Sequence, residues 1–219
     1  MSDASPVRSP AVASRGAEAS VRSVDWWGFP AVVKEREAKG YRPKPLDDRL
    51  RRERTRTEVR LLVEARRVGV RTPLVYDVDL DKHRLILEEL PGPTLRMLLE
   101  DPKQPGEALA GAVRSFGETL GRLHAGGISH GDLTSSNVLF PDGPGGRPAF
   151  LDLSMGARTP GLEEMGIDLH LVEEDLKALS SRAPALVREF HAGYRAGHPG
   201  GAKDVLARAK AIRSRVRYA

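Results

Sequence analysis

Leu109, Val113, Phe116, Leu120 and Leu123 recur at alternating intervals of four and three residues, which sets them on one face of a helix ending at Gly126-Gly127. Upstream, short apolar runs at 31–33, 74–78 and 84–87 predict β-strands. They surround a charged stretch, 47–68, whose Leu50, Leu61, Leu62 and Ala65 suit a helix with one buried face. Pro91-Gly92-Pro93 then interrupts the chain as a linker would. Beyond the long helix, Val138-Leu139-Phe140 and Phe150-Leu151 flank a turn rich in Gly and Pro and predict a β-hairpin, followed by helices over 167–179 and 184–194. The pattern predicts an α+β protein of two lobes, the first small and β-rich with one main helix, the second short and mainly helical. The expected boundaries are a loose leader at 1–14, an N-terminal lobe at 15–90, a C-terminal lobe at 91–202 and a basic arm at 203–219.

Composition narrows the function classes. The chain of 219 residues has no cysteine, which removes disulfides and thiolate metal sites and fits a reducing, cytoplasmic setting. No apolar run approaches the roughly 20 residues that cross a bilayer, so no membrane partner is expected. A formal charge of +5 and a pI of 9.7 favour polyanions, nucleotides or acidic partners. Lys203, Arg208, Lys210, Arg213, Arg215 and Arg217 face the single acid Asp204, and the simplest reading of such a run is a solvated helix face.

The most specific chemistry lies in His130-Gly131-Asp132-Leu133-Thr134-Ser135-Ser136-Asn137, with Asp152 fifteen residues after Asn137, at the end of an apolar strand. Phosphoryl transfer needs one carboxylate to orient the attacking hydroxyl or water, and an amide oxygen and a second carboxylate to hold magnesium against the phosphates. Asp132, Asn137 and Asp152 supply those three roles, and the hairpin brings the two magnesium ligands to one edge. Taken alone, Asp132 and Asn137 read as turn residues. Lys34 after the strand 31–33, and Glu58 in the charged helix, complete five roles in the order a protein-kinase-like fold places them. Without cysteine or a third spaced histidine, His124 and His130 read as structural, His130 bracing the loop. Trp26-Trp27 reads as a packed or partner-facing patch in preference to a base-stacking platform.

On these residues the sequence resembles the atypical kinase and ATPase subunit of the KEOPS (EKC) complex, related to the p53-related protein kinase family. The resemblance runs from Arg15 onward through Val32-Val33-Lys34-Glu35-Arg36, Tyr41-Arg42, Leu46-Asp47, Arg54-Thr55-Arg56-Thr57-Glu58, Gly69-Val70-Arg71-Thr72-Pro73 and Val75-Tyr76-Asp77-Val78-Asp79 to the Asp132 loop. It implies an ATP- and magnesium-dependent ATPase and autokinase that works beside a threonylcarbamoyltransferase in making threonylcarbamoyladenosine on tRNA. In this resemblance Gly16-Ala17-Glu18-Ala19 is the phosphate loop, Lys34 the phosphate-binding lysine, Glu58 its partner and Asp132 the catalytic aspartate. Asn137 and Asp152 are the magnesium ligands, Glu88-Glu89-Leu90 is the adenine hinge, and the basic arm is a tRNA contact.

One departure is Asp152-Leu153-Ser154 where Asp-Phe-Gly is usual; Leu153 can serve as the apolar plug, but Ser154 lacks the φ freedom of glycine. Two absences matter as well. Gly131 stands where many kinases carry an arginine that reads a phosphorylated loop, and no Ala-Pro-Glu follows. Activation by loop phosphorylation is not expected, and the short C-terminal lobe suits ATP hydrolysis gated by a partner. The competing readings are a small-molecule kinase of the aminoglycoside or choline type and a non-catalytic pseudokinase scaffold.

Overall fold

A computed structural model of the chain describes residues 7–8, 13–15 and 19–216. Short strands β1 (Val7–Arg8) and β2 (Ala13–Arg15) both pair with β3 (Ala19–Trp26), which forms an antiparallel hairpin with β4 (Phe29–Arg36). The sequence pattern did not suggest β3. Its alternation of Ser, Arg and Asp buries only Ala19 and Val24, so no apolar run marks it. Its turn is more legible: Trp27 and Gly28 both take positive φ (54° and 86°), the backbone of a tight two-residue hairpin loop. That geometry leaves Trp27 70% exposed at the tip.

Helix α1 (Lys44–Arg67) follows, starting three residues before the expected 47. Asp47 in its first turn and Arg66 and Arg67 in its last complement the helix dipole. Its inner face buries Thr55, Glu58, Leu61, Leu62 and Ala65. Strands β5 (Val75–Asp79) and β6 (Arg84–Glu88) complete a sheet of order β1-β3-β4-β6-β5. The linker is then pinned to the second lobe: Phe140 N donates to Pro93 O at 2.9 Å. Gly92 has φ +103°, and a Cβ there would lie 2.2 Å from Phe140 O.

The second lobe opens with α2 (Leu95–Glu100), whose N-cap Thr94 accepts from Met97 N, and α3 (Gly106–Ala125), which carries the expected periodic face. Strand β7 (Ile128–Ser129), a 3-10 turn at Ser135–Asn137, and the hairpin of β8 (Val138–Leu139) and β9 (Ala149–Phe150) hold the chemistry-bearing loops. Strand β10 (Ala157–Arg158) returns to pair with β7. Helices α4 (Leu162–Leu179), α5 (Ala183–Gly197) and α6 (Ala202–Val216) complete the described lobe.

Helices α3 and α5 meet backbone to backbone along Gly117, Gly121, Gly193 and Gly197. A Cβ on Gly193 would sit 1.9 Å from Arg114 O, and one on Gly197 2.0 Å from Glu118 O. The basic segment expected as a separate arm is, over its described residues, a helix packed on α4 with Ala202, Val205, Ala209 and Ile212 buried. Its charges are also partly spent. Arg208 and Arg215 pair with Glu163 at 3.4 and 3.3 Å, and Arg213 pairs with Glu173 at 3.0 Å. One apolar core runs through both lobes, from Leu61, Leu62 and Leu85 to Leu133, Phe150 and Leu153.

Candidate active site

Strand β4 and helix α1 bring Lys34 and Glu58 together because the sheet packs on the inner face of the helix. Lys34 Nζ lies 2.6 Å from Glu58 Oε1, and 2.8 Å from Asp152 Oδ1 on the other lobe. The second contact is a charge pair without aligned hydrogen-bond geometry. Sequence reasoning gave no role to Arg36, which also belongs here: its Nη2 is 2.5 Å from Glu58 Oε2 and 3.8 Å from Asp152 Oδ1. Lys34, Arg36 and Glu58 are 8%, 4% and 1% exposed. Two cations and two carboxylates thus compensate one another where a lone buried charge would be costly.

Asp152 follows β9 and takes φ +53°, a left-handed conformation uncommon outside glycine. The positive φ falls on Asp152 itself, and Ser154 is outside the positive-φ set, so the missing glycine costs no left-handed turn. Burial pushes the Asp152 carboxyl up, but Lys34, a Ser154 hydrogen bond and Arg36 outweigh it and hold it down at about 2. Leu153 is fully buried in the common core, as a plug would be.

The loop after β7 carries Asp132 and Asn137. Asn137 Nδ2 donates to Asp132 O at 2.9 Å, which ties the two residues together and leaves the Asn137 Oδ1 for another partner. The loop backbone is anchored from below by Asp168 of α4, a completely buried carboxylate that sequence reasoning missed. Its oxygens accept from His130 N at 2.7 Å and Gly131 N at 2.8 Å, and His124 Nε2 lies 3.1 Å away. Tyr194 Oη is 2.8 Å from His124 Nδ1, so α5, α3 and α4 all bear on this loop. Asp175 of α4 adds a second brace, accepting from Ser135 N at 2.7 Å. Both histidines are structural as expected, and His130 Nε2 bonds Leu151 O at 2.9 Å. Burial depresses the His130 pKa more than the nearby Asp168, Asp152 and Asp132 and its bond to Leu151 O raise it.

Between the lobes lies a cleft of about 560 Å³ lined by Lys34, Glu58, Asp132, Asn137 and Asp152, with Val21, Val32, Leu87, Leu139 and Leu151 as apolar walls. Ala19 lies at one edge; Gly16, Ala17 and Glu18 fall outside the described residues. Glu88, Glu89 and Leu90 line the cleft where β6 leaves the sheet. Glu88 N donates to Leu74 O and Glu89 N to Pro30 O, whereas among the described residues Leu90 N has no hydrogen-bond partner. Asn137 and Asp152 offer hard oxygen donors of the type magnesium takes, so the donor set fits that ion.

These two lobes, with a nucleotide-sized cleft and a Lys-Glu pair facing an Asp-Asn-Asp set, define a kinase-like fold. The crystal structure of the Rio2 kinase–ADP/Mg2+–phosphoaspartate complex from Chaetomium thermophilum shares it, with a TM-score of 0.63 over 97% of this chain and 73% of that one at 14% identity. No protein-family model matches the chain. It is 37% identical over 95% of its length to a probable bifunctional tRNA threonylcarbamoyladenosine biosynthesis protein of Methanothermobacter thermautotrophicus. It is 39% identical over 88% to that of Methanosarcina mazei, and 38% identical over 98% to that of Halobacterium salinarum. The chain spans 32–37% of the length of these relatives. It is a homologue of the kinase-like portion of the bifunctional tRNA threonylcarbamoyladenosine biosynthesis proteins.

Proposed function

We propose that the chain is an ATP-dependent phosphoryl-transfer enzyme, an ATPase and atypical serine/threonine autokinase, that supports threonylcarbamoyladenosine formation on tRNA. The observation that carries this reading is the convergence of Lys34, Glu58 and Asp152 at 2.6–2.8 Å in the cleft that also holds Asp132 and Asn137. In this reading Leu90 N, the unpartnered hinge amide, receives adenine between the apolar walls from Val32 and Leu139. Lys34, positioned by Glu58, contacts phosphate. Asp132, fixed through the Asp168-anchored loop, orients the attacking water or hydroxyl. Asn137 and Asp152 would hold magnesium, which when bound supplies charge neutralisation of the phosphate oxygens. The Rio2 structure is described as an ADP/Mg2+ complex, which supports the choice of nucleotide and ion.

The relatives, tRNA threonylcarbamoyladenosine biosynthesis proteins by name, support the tRNA pathway, and their bifunctional character supports a threonylcarbamoyltransferase, the KEOPS-type companion, as the partner. The test is release of radiolabelled phosphate from ATP with magnesium, alone and with tRNA and the transferase. Magnesium-dependent turnover that Asp132→Ala and Asp152→Ala each abolish is the expected result. Parental turnover in Asp152→Ala would remove the metal assignment.

A further inference from the structure

The face of α1 opposite its buried side carries Arg49, Arg56, Arg60 and Arg67, all exposed. At about 100° per residue these four fall within about 40° of one another on the helical wheel, and they span about 27 Å of helix. Among the described residues Arg56, Arg60 and Arg67 make no ion pair or hydrogen bond, and Arg49 reaches Glu53 only at 4.0 Å. Other acids of the helix are engaged elsewhere. Asp47 pairs with Arg51, Glu58 with Lys34 and Arg36, and Glu64 with Arg158. Arg56 and Arg60 stand four residues apart, a like-charge spacing that costs an isolated helix a few tenths of a kcal/mol. A solvated helix of mixed charge relieves that cost with acids, as α6 does through Glu163 and Glu173. Two residues past Arg67, Gly69 lines a separate cavity of about 270 Å³ walled by Arg71, Arg122 and Arg147. Arg71 and Arg122 pair with Asp142 and Glu118, and among the described residues Arg147 has no partner.

We propose that this arginine row on the outer face of α1 is a docking surface for the phosphate backbone of an RNA. Unpaired guanidiniums in line suit a chain of phosphates, which they bind bidentately, better than an acidic protein patch, whose carboxylates are scattered. The choice of tRNA as that RNA rests on the function proposed above. The row lies on the side of α1 away from Glu58, so RNA docked there leaves the cleft open to nucleotide. Contact is with phosphates, so it positions the RNA without reading its bases. This places the main RNA contact on α1 and not on the basic segment of α6.

The test uses the full chain with a tRNA transcript, measuring affinity by anisotropy across a salt series, alongside basal ATP hydrolysis. The variant Arg56→Gln/Arg60→Gln/Arg67→Gln should weaken binding on the order of tenfold or more, and flatten the log–log salt slope by about 2–3, the release expected from three phosphate contacts. Arg56→Lys/Arg60→Lys/Arg67→Lys should retain most of the slope, and basal hydrolysis should not change in either variant. Lys203→Gln/Lys210→Gln on α6 should leave the curves where they were. Loss of slope in the α6 variant with none in the α1 variant would overturn the proposal. So would an unchanged curve in the α1 glutamine variant, or its loss of binding to an acidic polypeptide with none to tRNA. Absence of ATP turnover in a parent that still binds tRNA through α1 would count against the proposed enzyme and not against the surface.

Discussion

A carboxylate as buried as Glu58 must keep a counter-ion whatever Lys34 is doing, and Arg36 at 2.5 Å supplies it. Lys34 can then swing towards a phosphate without stranding a charge. Removing one partner from such a cluster costs about 3–5 kcal/mol. Arg36→Met is therefore expected to lower unfolding free energy by that order in denaturant titration, and Glu58→Gln added to it should recover part of the loss. Additive losses would show that the two do not share an interaction. In the cleft, Lys34→Ala should impair ATP use more than Glu58→Ala, since in the proposed function only the lysine touches phosphate. His130 gives a pH signature. Its neutral form is favoured by burial, so it takes up its proton on unfolding, and its share of stability should fall as pH drops below about 6.5. An imidazole NMR titration should show it still neutral at pH values where an exposed histidine is charged. That Lys34, Glu58, Asp132, Asn137 and Asp152 share one cleft was legible because a motif fixes their order and spacing. Arg36 and Asp168 were not: in sequence each is one charge among many, and only burial with converging partners distinguishes them.

At the scale of elements, the glycines that join α3 and α5 behave as a fitted seam. Gly193→Ala drives a methyl group into Arg114 O, and overpacking of this kind costs typically 1–3 kcal/mol or more. Gly111→Ala on the same α3 meets open space and should stabilise by up to about 1 kcal/mol through helix propensity. Thermal melts of the pair should therefore shift in opposite directions. The spacing of four in Gly117/Gly121 and Gly193/Gly197 is visible in the sequence, but nothing there says that the two helices face each other. Helix α6 was obscured differently: Ala202, Val205, Ala209 and Ile212 have helical spacing, but the charges between them drew the reading towards a free arm. Truncation at Arg208 removes Ala209 and Ile212 from the core. It is expected to lower the melting temperature, so charge-neutral point variants isolate the RNA question better than a deletion does.

At the scale of the whole molecule, the two-lobe plan was readable because the linker Pro91-Gly92-Pro93 and the change from strands to helices mark it. The attachment of that linker to Phe140 was not, because a non-local carbonyl leaves no trace in local sequence. Nor was the closeness of the Asp132 loop to the segment that follows Asp152. Gly131 has φ +81°, and a Cβ there would lie 2.1 Å from Met155 O; one on Gly156 would lie 2.4 Å from Ser129 O. Ala157 then pairs with Ser129 across β7 and β10. Kinases governed by a phosphorylated loop depend on that stretch ordering and disordering. Here it is stitched to the Asp132 loop at consecutive points, with no space at position 131 for the arginine that would read a phosphate. Held at these points, the segment lacks the free play on which such switching depends. Under the function proposed above, output is then metered from outside, by the supply of partner and nucleic acid, so that control passes from covalent switching to stoichiometry.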